Sequence, residues 1–202
     1  MAKLIVFSGG CHSGKTTTLN KVAELLEKQG YEVKKLSELM RNAMPTKSID
    51  ELRKDALEYL STQDKIISEK MQQETAAFND KSDCIYLIDR AITDSMFYLT
   101  HYVDKSQLNK FGLELFTKLY FEVKLHALKA FKYGGYDLLV EFEPIREIKT
   151  VDAYRPDNMD LMVEYEADCI SILNTAFSKI GEVKYFPYFH NINTPQSILN
   201  WL

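Results

Sequence analysis

Leu4-Ile5-Val6-Phe7-Ser8-Gly9-Gly10-Cys11-His12-Ser13-Gly14-Lys15-Thr16-Thr17 is the stretch on which the fold turns. An apolar run ends in G-x-x-x-x-G-K-T, and a segment rich in Leu, Ala, Glu and Lys follows. This pattern is the phosphate-binding P-loop, and its mechanism accounts for each fixed residue. Gly9 and Gly14 let the backbone curl, and with Gly10, Cys11, His12 and Ser13 they form a nest of inward-pointing N–H groups. The helix that opens near Gly14 adds unpaired N–H groups and the positive end of its dipole. Lys15 places a point charge on the β- and γ-phosphates, the Thr16 hydroxyl is suited to Mg²⁺, and Thr17 completes the loop. A chance match in a Gly-rich turn is the competing explanation, but this match sits between a strand-like and a helix-like run, as the motif requires. The expected ligand is a nucleoside triphosphate.

Composition sets the outer bounds. The chain has 202 residues, 46% hydrophobic and 27% charged, which fits one domain spanning 1–202 with a sizeable core. A net charge of −4 gives no general basic footprint for nucleic acid, so phosphates must be met by locally placed cations. Cys11, Cys84 and Cys169 form no C-x-x-C pair, which argues against a zinc site or a disulfide framework. No signal-peptide pattern occurs and no apolar stretch approaches about 18 residues, so the expectation is a cytoplasmic protein without a membrane partner. A homodimer stays open.

Working outward from the loop, residues 3–8 read as a buried strand, 15–29 as a helix stopped near Gly30, and 31–36 as a second strand, making a βαβ unit. The segment from Ser37 to Pro45 leaves the carboxyl end of that strand, where ligands sit in open α/β sheets. Ser48-Ile49-Asp50-Glu51 fits a capping box and predicts one long helix to about Phe78. Cys84-Ile85-Tyr86-Leu87-Ile88-Asp89 has the form of a Walker B strand, whose carboxylate meets Mg²⁺ or its water shell. Thr93 is the expected N-cap of the next helix, and helical spacing returns over 106–133. A strand at 136–142, a polar loop from Arg146 to Asn158 and a helix near 159–180 follow. That last helix shows an apolar stripe of Met162, Tyr165, Cys169, Ile172, Leu173, Ala176 and Ile180. A strand at 183–186 and a short helix opened by Thr194-Pro195 end the chain.

The chain has 20 lysines and five arginines. The lysines are scattered, many on helix faces. Arg41, Arg90, Arg146 and Arg155 instead follow predicted strands, on the side where the P-loop sits, while Arg53 falls within the predicted long helix. Guanidiniums in that position suit bidentate phosphate contacts and the neutralisation of a migrating phosphoryl group. Pairing with neighbours such as Glu38, Glu143 or Asp152 is the plainer alternative.

Together these motifs resemble the nucleoside and nucleotide kinase branch of P-loop proteins, and most of all the compact "AAA domain" kinases related to ribosylnicotinamide kinase. The matching segments are Gly9 to Thr17, Glu38-Leu39-Met40-Arg41, Asp89-Arg90-Ala91-Ile92-Thr93-Asp94-Ser95, and Glu143-Pro144 with Asp152-Ala153-Tyr154-Arg155. Thymidylate kinases share the Asp-Arg after the third strand. The resemblance implies an α/β P-loop NTPase with a five-stranded parallel sheet and helices on both faces. It also implies ATP and Mg²⁺ at the loop and a lid at about 146–158 carrying Arg155. Lys15, Asp89, Arg90 and Arg155 become the catalytic set, with Thr16 and Asp89 at the metal. Glu38, Arg41, Arg90 and Asp94 would line the acceptor pocket. Pro156 departs from the relatives' lid. The acceptor is nucleoside-like or a nucleotide; a hydroxymethylated base in DNA and a regulatory ATPase switch are the alternatives. Against the switch, no N-K-x-D specificity motif occurs.

Overall fold

The computed structural model describes residues 1–11, 13–36, 49–143, 159–181, 183–188 and 194–200. The expectations placed on His12, Glu38, Arg41, the Ser48 cap, Arg146 and Arg155 therefore lie outside the described residues. The strands are β1 (Lys3–Gly9), β2 (Glu32–Leu36), β3 (Cys84–Asp89), β4 (Leu138–Phe142) and β5 (Lys184–Tyr188). They form one five-stranded sheet in the order β2-β3-β1-β4-β5, parallel throughout. β1 lies at its centre, between β3 on one side and β4 on the other, so the chain changes direction across the sheet there. Open α/β sheets bind ligands beyond the carboxyl ends of strands at such a switch.

The helices are α1 (Lys15–Lys28), α2 (Ile49–Leu52), α3 (Ala56–Phe78), α4 (Ile92–Tyr102), α5 (Lys110–Lys132), α6 (Met159–Ser178) and α7 (Thr194–Leu199). Alternation along β1 divides them into two layers, since successive strand side chains point to opposite faces. Ile5 and Phe7 pack with Leu87 and Val140 against Leu19, Val22 and Leu26 of α1 and Ile198 of α7. Leu4 and Val6 pack with Ile88 and Leu139 against Tyr59, Leu60, Leu99, Val123, Phe131 and Phe177 from α3 to α6. Each of these fully buried side chains contributes about 1.5–3 kcal/mol of transfer free energy. Pro187 lies within β5, the edge strand of the sheet, the kind of strand to which proline is confined. Among the described residues no helix is long and apolar enough to cross a membrane.

Four local expectations are revised. The single helix to Phe78 is broken after Leu52, because the Asp55 carboxylate caps the N–H groups of Leu57 and Glu58 at 3.0 Å each and starts α3 there. Arg53 thus lies in the intervening turn, its guanidinium 3.6 Å from the centre of the Tyr102 ring. Thr93 does not cap α4. Ala91 holds the cap position, the Ile92 N–H is taken by the Tyr136 hydroxyl at 3.2 Å, and the buried Thr93 hydroxyl donates to Asn174 at 2.5 Å. α5 starts at Lys110 rather than near 106, since Asn109 accepts the Gly112 N–H at 2.9 Å. In α6 the buried face carries Glu166, Ala167, Ile170, Asn174 and Phe177, whereas Tyr165 and Ile172 of the expected stripe are 55% and 69% exposed.

Candidate active site

The P-loop runs from the carboxyl end of β1 into α1. Gly9 has φ 137°, and a Cβ there would lie 2.7 Å from the Phe142 carbonyl oxygen of β4. Only glycine satisfies both the backbone angle and that approach. Gly14 stands at the N-cap of α1 with φ 79° and no side chain caps the helix. The first-turn N–H groups are therefore left to an anion. The Lys15 ammonium folds back over the loop, donating to the Gly9 and Gly10 carbonyls at 2.8 and 2.5 Å and to the Ser13 hydroxyl at 3.1 Å. Burial, followed by the nearby Arg90 charge, pushes its pKa below the ordinary lysine value. Such a cation gains from an incoming polyanion.

β3 supplies the second half. Pairing of Phe7 with Asp89 sets the Asp89 carboxylate beside the root of the loop. Thr16 donates to Asp89 Oδ2 at 2.7 Å, while Asp89 Oδ1 is buried and, among the described residues, has no hydrogen-bond partner. A buried carboxylate oxygen left bare is costly unless something binds it. A hydroxyl joined to a carboxylate with one oxygen to spare fits a hard divalent cation that also keeps water and phosphate ligands.

Arg90 follows directly and is the one described residue other than glycine with positive φ, at 74°. Its backbone is pinned from both sides: its N–H donates to the Phe7 carbonyl at 2.9 Å, and Lys70 of α3 donates to its carbonyl at 2.6 Å. Strain of this kind persists only where the surroundings over-determine it. The guanidinium donates to the Tyr98 hydroxyl at 2.8 Å and lies 3.7 Å from Asp94 Oδ2. Asp94 is fully buried beneath the loop. It accepts from the Ser8 hydroxyl and from the Gly9 N–H at 3.4 Å. Burial raises its pKa to about 6 despite the opposing pull of Arg90, Lys15 and Ser8.

The structure thus brings Gly9, Gly10, Cys11, Ser13, Gly14, Lys15, Thr16, Asp89, Arg90 and Asp94 together; Thr17 lies exposed in the first turn of α1. Several partners were not apparent from sequence. Glu166 of α6 accepts the Cys11 N–H at 3.1 Å and the Tyr98 hydroxyl. Asn174 bridges the Ser8 hydroxyl at 2.8 Å and Glu141 at 3.0 Å. Behind Lys70 lies Glu74, buried against Lys70 at 3.1 Å, His126 at 2.7 Å and the Tyr136 hydroxyl at 2.8 Å. Eight-residue spacing places Glu166 and Asn174 on one face of a helix, the one signal in sequence that could have found them.

A family model described as "AAA domain" matches residues 4–183. Among solved structures, a NadR protein in complex with NAD and AMP-PNP superposes with TM-score 0.62 at 15% identity, covering 98% of this chain and 48% of that one. A NadR protein in complex with NR gives TM-score 0.62 at 16% identity, covering 99% and 51%. The chain spans about half the length of these proteins, and identities at this level establish a shared fold.

Proposed function

The chain belongs to the AAA domain family, and on that footing we propose that it is an ATP-dependent kinase transferring the γ-phosphate to a nucleoside-like or nucleotide acceptor. One observation carries the reading: Thr16 in the first turn of α1 donates to Asp89 at the end of β3 at 2.7 Å, and Asp89 Oδ1 has no partner among the described residues, beside the loop that carries Lys15. This is the pairing a P-loop and a Walker B strand need at a metal–triphosphate complex. The NadR complexes with AMP-PNP and NR support a donor nucleotide and a nucleoside-like acceptor as ligand classes for this fold.

Thr16 and Asp89 would hold Mg²⁺, directly or through its water, and the ion would neutralise charge on the β- and γ-phosphates. Lys15, which now donates to the Gly9 and Gly10 carbonyls, would exchange those bonds for the phosphates. Arg90, held at its backbone by Lys70 and at its guanidinium by Tyr98, would set its positive charge beside the group in transit. Arg155 is assigned to the lid, where closure would exclude water. Glu38 and Arg41 are assigned to the acceptor. A hydroxyl acceptor requires a carboxylate to orient or take its proton. Asp89 is the first choice, held by a rigid strand, and Glu38 the second.

The test is ADP release against a panel of nucleosides, nucleoside monophosphates and hydroxymethylated DNA, with Lys15→Ala as the blank. Turnover that depends on one acceptor class is expected; turnover indifferent to the acceptor would sink the kinase reading and favour a switch. Asp89→Asn should reduce transfer at least about 100-fold while ATP affinity changes by less than about fivefold. Loss of ATP binding with normal residual turnover would remove Asp89 from this role.

A further inference from the structure

The outward side of α5 carries apolar side chains that no other described element covers. Phe111 and Leu125 are each 66% exposed and Phe121 is 54% exposed, although Leu119, Val123 and Ala127 bury the opposite side of the same helix completely. Phe111, Glu114, Lys118, Phe121 and Leu125 follow one another at alternating steps of three and four residues. That spacing makes a single seam along a helix, the pattern that seats a second helix. A groove of about 470 Å³ opens on the same side, between Lys110 and Phe121. We propose that this seam is the docking surface for a second copy of the chain, whose own α5 lies against it antiparallel, about a twofold axis level with Phe116. The inference goes beyond the kinase reading and does not depend on it.

Charge decides the partner and its direction. Lys110, Glu114, Lys118 and Glu122 alternate in sign along the seam and its flank. Within one helix they form only long, exposed pairs, Lys110 with Glu114 at 4.0 Å and Lys118 with Glu122 at 3.8 Å, and such pairs hold little energy. In an antiparallel pair centred on Phe116, a residue some steps before that level meets the one an equal number of steps after it. Glu114 then meets Lys118 of the second copy, Lys110 meets Glu122, and Phe111 meets Phe121. The twofold axis makes each of these contacts twice, because the surface is complementary to itself. A parallel pair would instead set Glu114 on Glu114 and Lys118 on Lys118. An antiparallel pair centred on Lys118 would set Glu114 on Glu122 and Lys118 on itself. Like charges face to face disfavour both. A partner of unrelated sequence would have to supply the alternation; a second copy already carries it.

The experiment is analytical ultracentrifugation of the whole chain across a wide range of protein concentration, comparing the unaltered protein with Phe121→Gln, Glu114→Lys and Lys118→Glu. The unaltered protein should pass from its monomer mass of 23.4 kDa towards twice that value as concentration rises. Phe121→Gln removes an exposed ring, leaves the core intact and should weaken the dimer at least about tenfold. Glu114→Lys and Lys118→Glu each set like charges face to face twice in one dimer and should weaken it by about the same factor. An equimolar mixture of these two variants should dimerise again, to within about threefold of the unaltered protein, because each copy supplies the charge that the other has reversed. Mixing would not rescue a damaged fold, so this arm separates docking from folding. A protein that stays monomeric at every concentration, its seam bare or reserved for a partner of another kind, overturns the proposal. A dimer indifferent to Phe121→Gln also overturns it, and so does a mixture that stays monomeric where the unaltered protein dimerises.

Discussion

Glu74 should be among the most stability-sensitive polar residues in the chain. It is fully buried in α3, and its carboxylate is the common partner of the Lys70 ammonium at 3.1 Å, His126 Nε2 at 2.7 Å and the Tyr136 hydroxyl at 2.8 Å. Glu74→Ala leaves a buried cation and a buried hydroxyl without that acceptor. Breaking a buried pair from one side costs about 3–5 kcal/mol. At about 2–4 °C per kcal/mol for a domain of this size, the melting temperature should fall by about 6–20 °C. Glu74→Gln keeps the shape and one acceptor oxygen and should cost less, about 1.5–3 kcal/mol, for the loss of charge-assisted bonds. Burial opposes ionisation of Glu74, but Lys70, His126 and Tyr136 outweigh it and hold its pKa below the ordinary carboxylate value. A depressed folded pKa means the stabilisation is complete above the unfolded value and fades as pH falls through the folded one. The gap between the unaltered protein and Glu74→Gln should therefore persist on acidification to about pH 5 and narrow only at lower pH. Urea unfolding followed by circular dichroism measures each value. Glu74→Ala within about 1 kcal/mol of the unaltered protein, or glutamine costlier than alanine, would refute the reasoning.

Asp94 should behave in the opposite sense. Its folded pKa of about 6 lies above the ordinary aspartate value of 3.8, so between them the folded state holds a proton the unfolded chain has lost, and stability falls as pH rises through that window. Asp94→Asn should thus gain up to about 3 kcal/mol on the unaltered protein between pH 4 and pH 7, by chemical denaturation at each pH; a flat difference would contradict it. Gly9→Ala should cost about 2–5 kcal/mol and weaken ATP binding, because the new Cβ would meet the Phe142 carbonyl at 2.7 Å. Gly30→Ala, with φ 90° and open space, should cost only about 1–2 kcal/mol. Equal losses at the two glycines would mean that backbone angle, not the contact with β4, sets the cost.

What the sequence carried plainly was local. The apolar run of β1, the glycine spacing of the loop and the Asp at the end of β3 each occupy a few adjacent residues, and their chemistry needs no knowledge of the rest of the chain. The parallel sheet and the meeting of Thr16 with Asp89 follow from those pieces. Arg90 was legible as a cation after a strand, but its positive φ was not, since that angle is imposed by Phe7 and by Lys70, 20 positions earlier. The burial of Asp94 against the Ser8 hydroxyl, 3.7 Å from Arg90, was not legible either, since it depends on how α4 packs against the end of β1.

α6 shows why the remainder was hidden. Reading its apolar residues for a core face selected Tyr165 and Ile172, which are exposed, because the periodicity argument assumes that the buried face is the apolar one. Here the face turned inward carries Glu166 and Asn174 between Ala167, Ile170 and Phe177. Burying those two polar side chains is tolerable only because the far ends of their hydrogen bonds already exist: Cys11 N–H and Tyr98 for Glu166, and Ser8, Thr93 and Glu141 for Asn174. These partners come from β1, the P-loop, α4 and β4, so α6 is oriented by the site as much as by the core. A helix whose amphipathic pattern points the wrong way is thus itself a sign that its polar residues are committed elsewhere. On that logic Glu166 and Asn174 bind α6 to the site at two levels, one at the Cys11 N–H of the loop and one at the strand end beneath it.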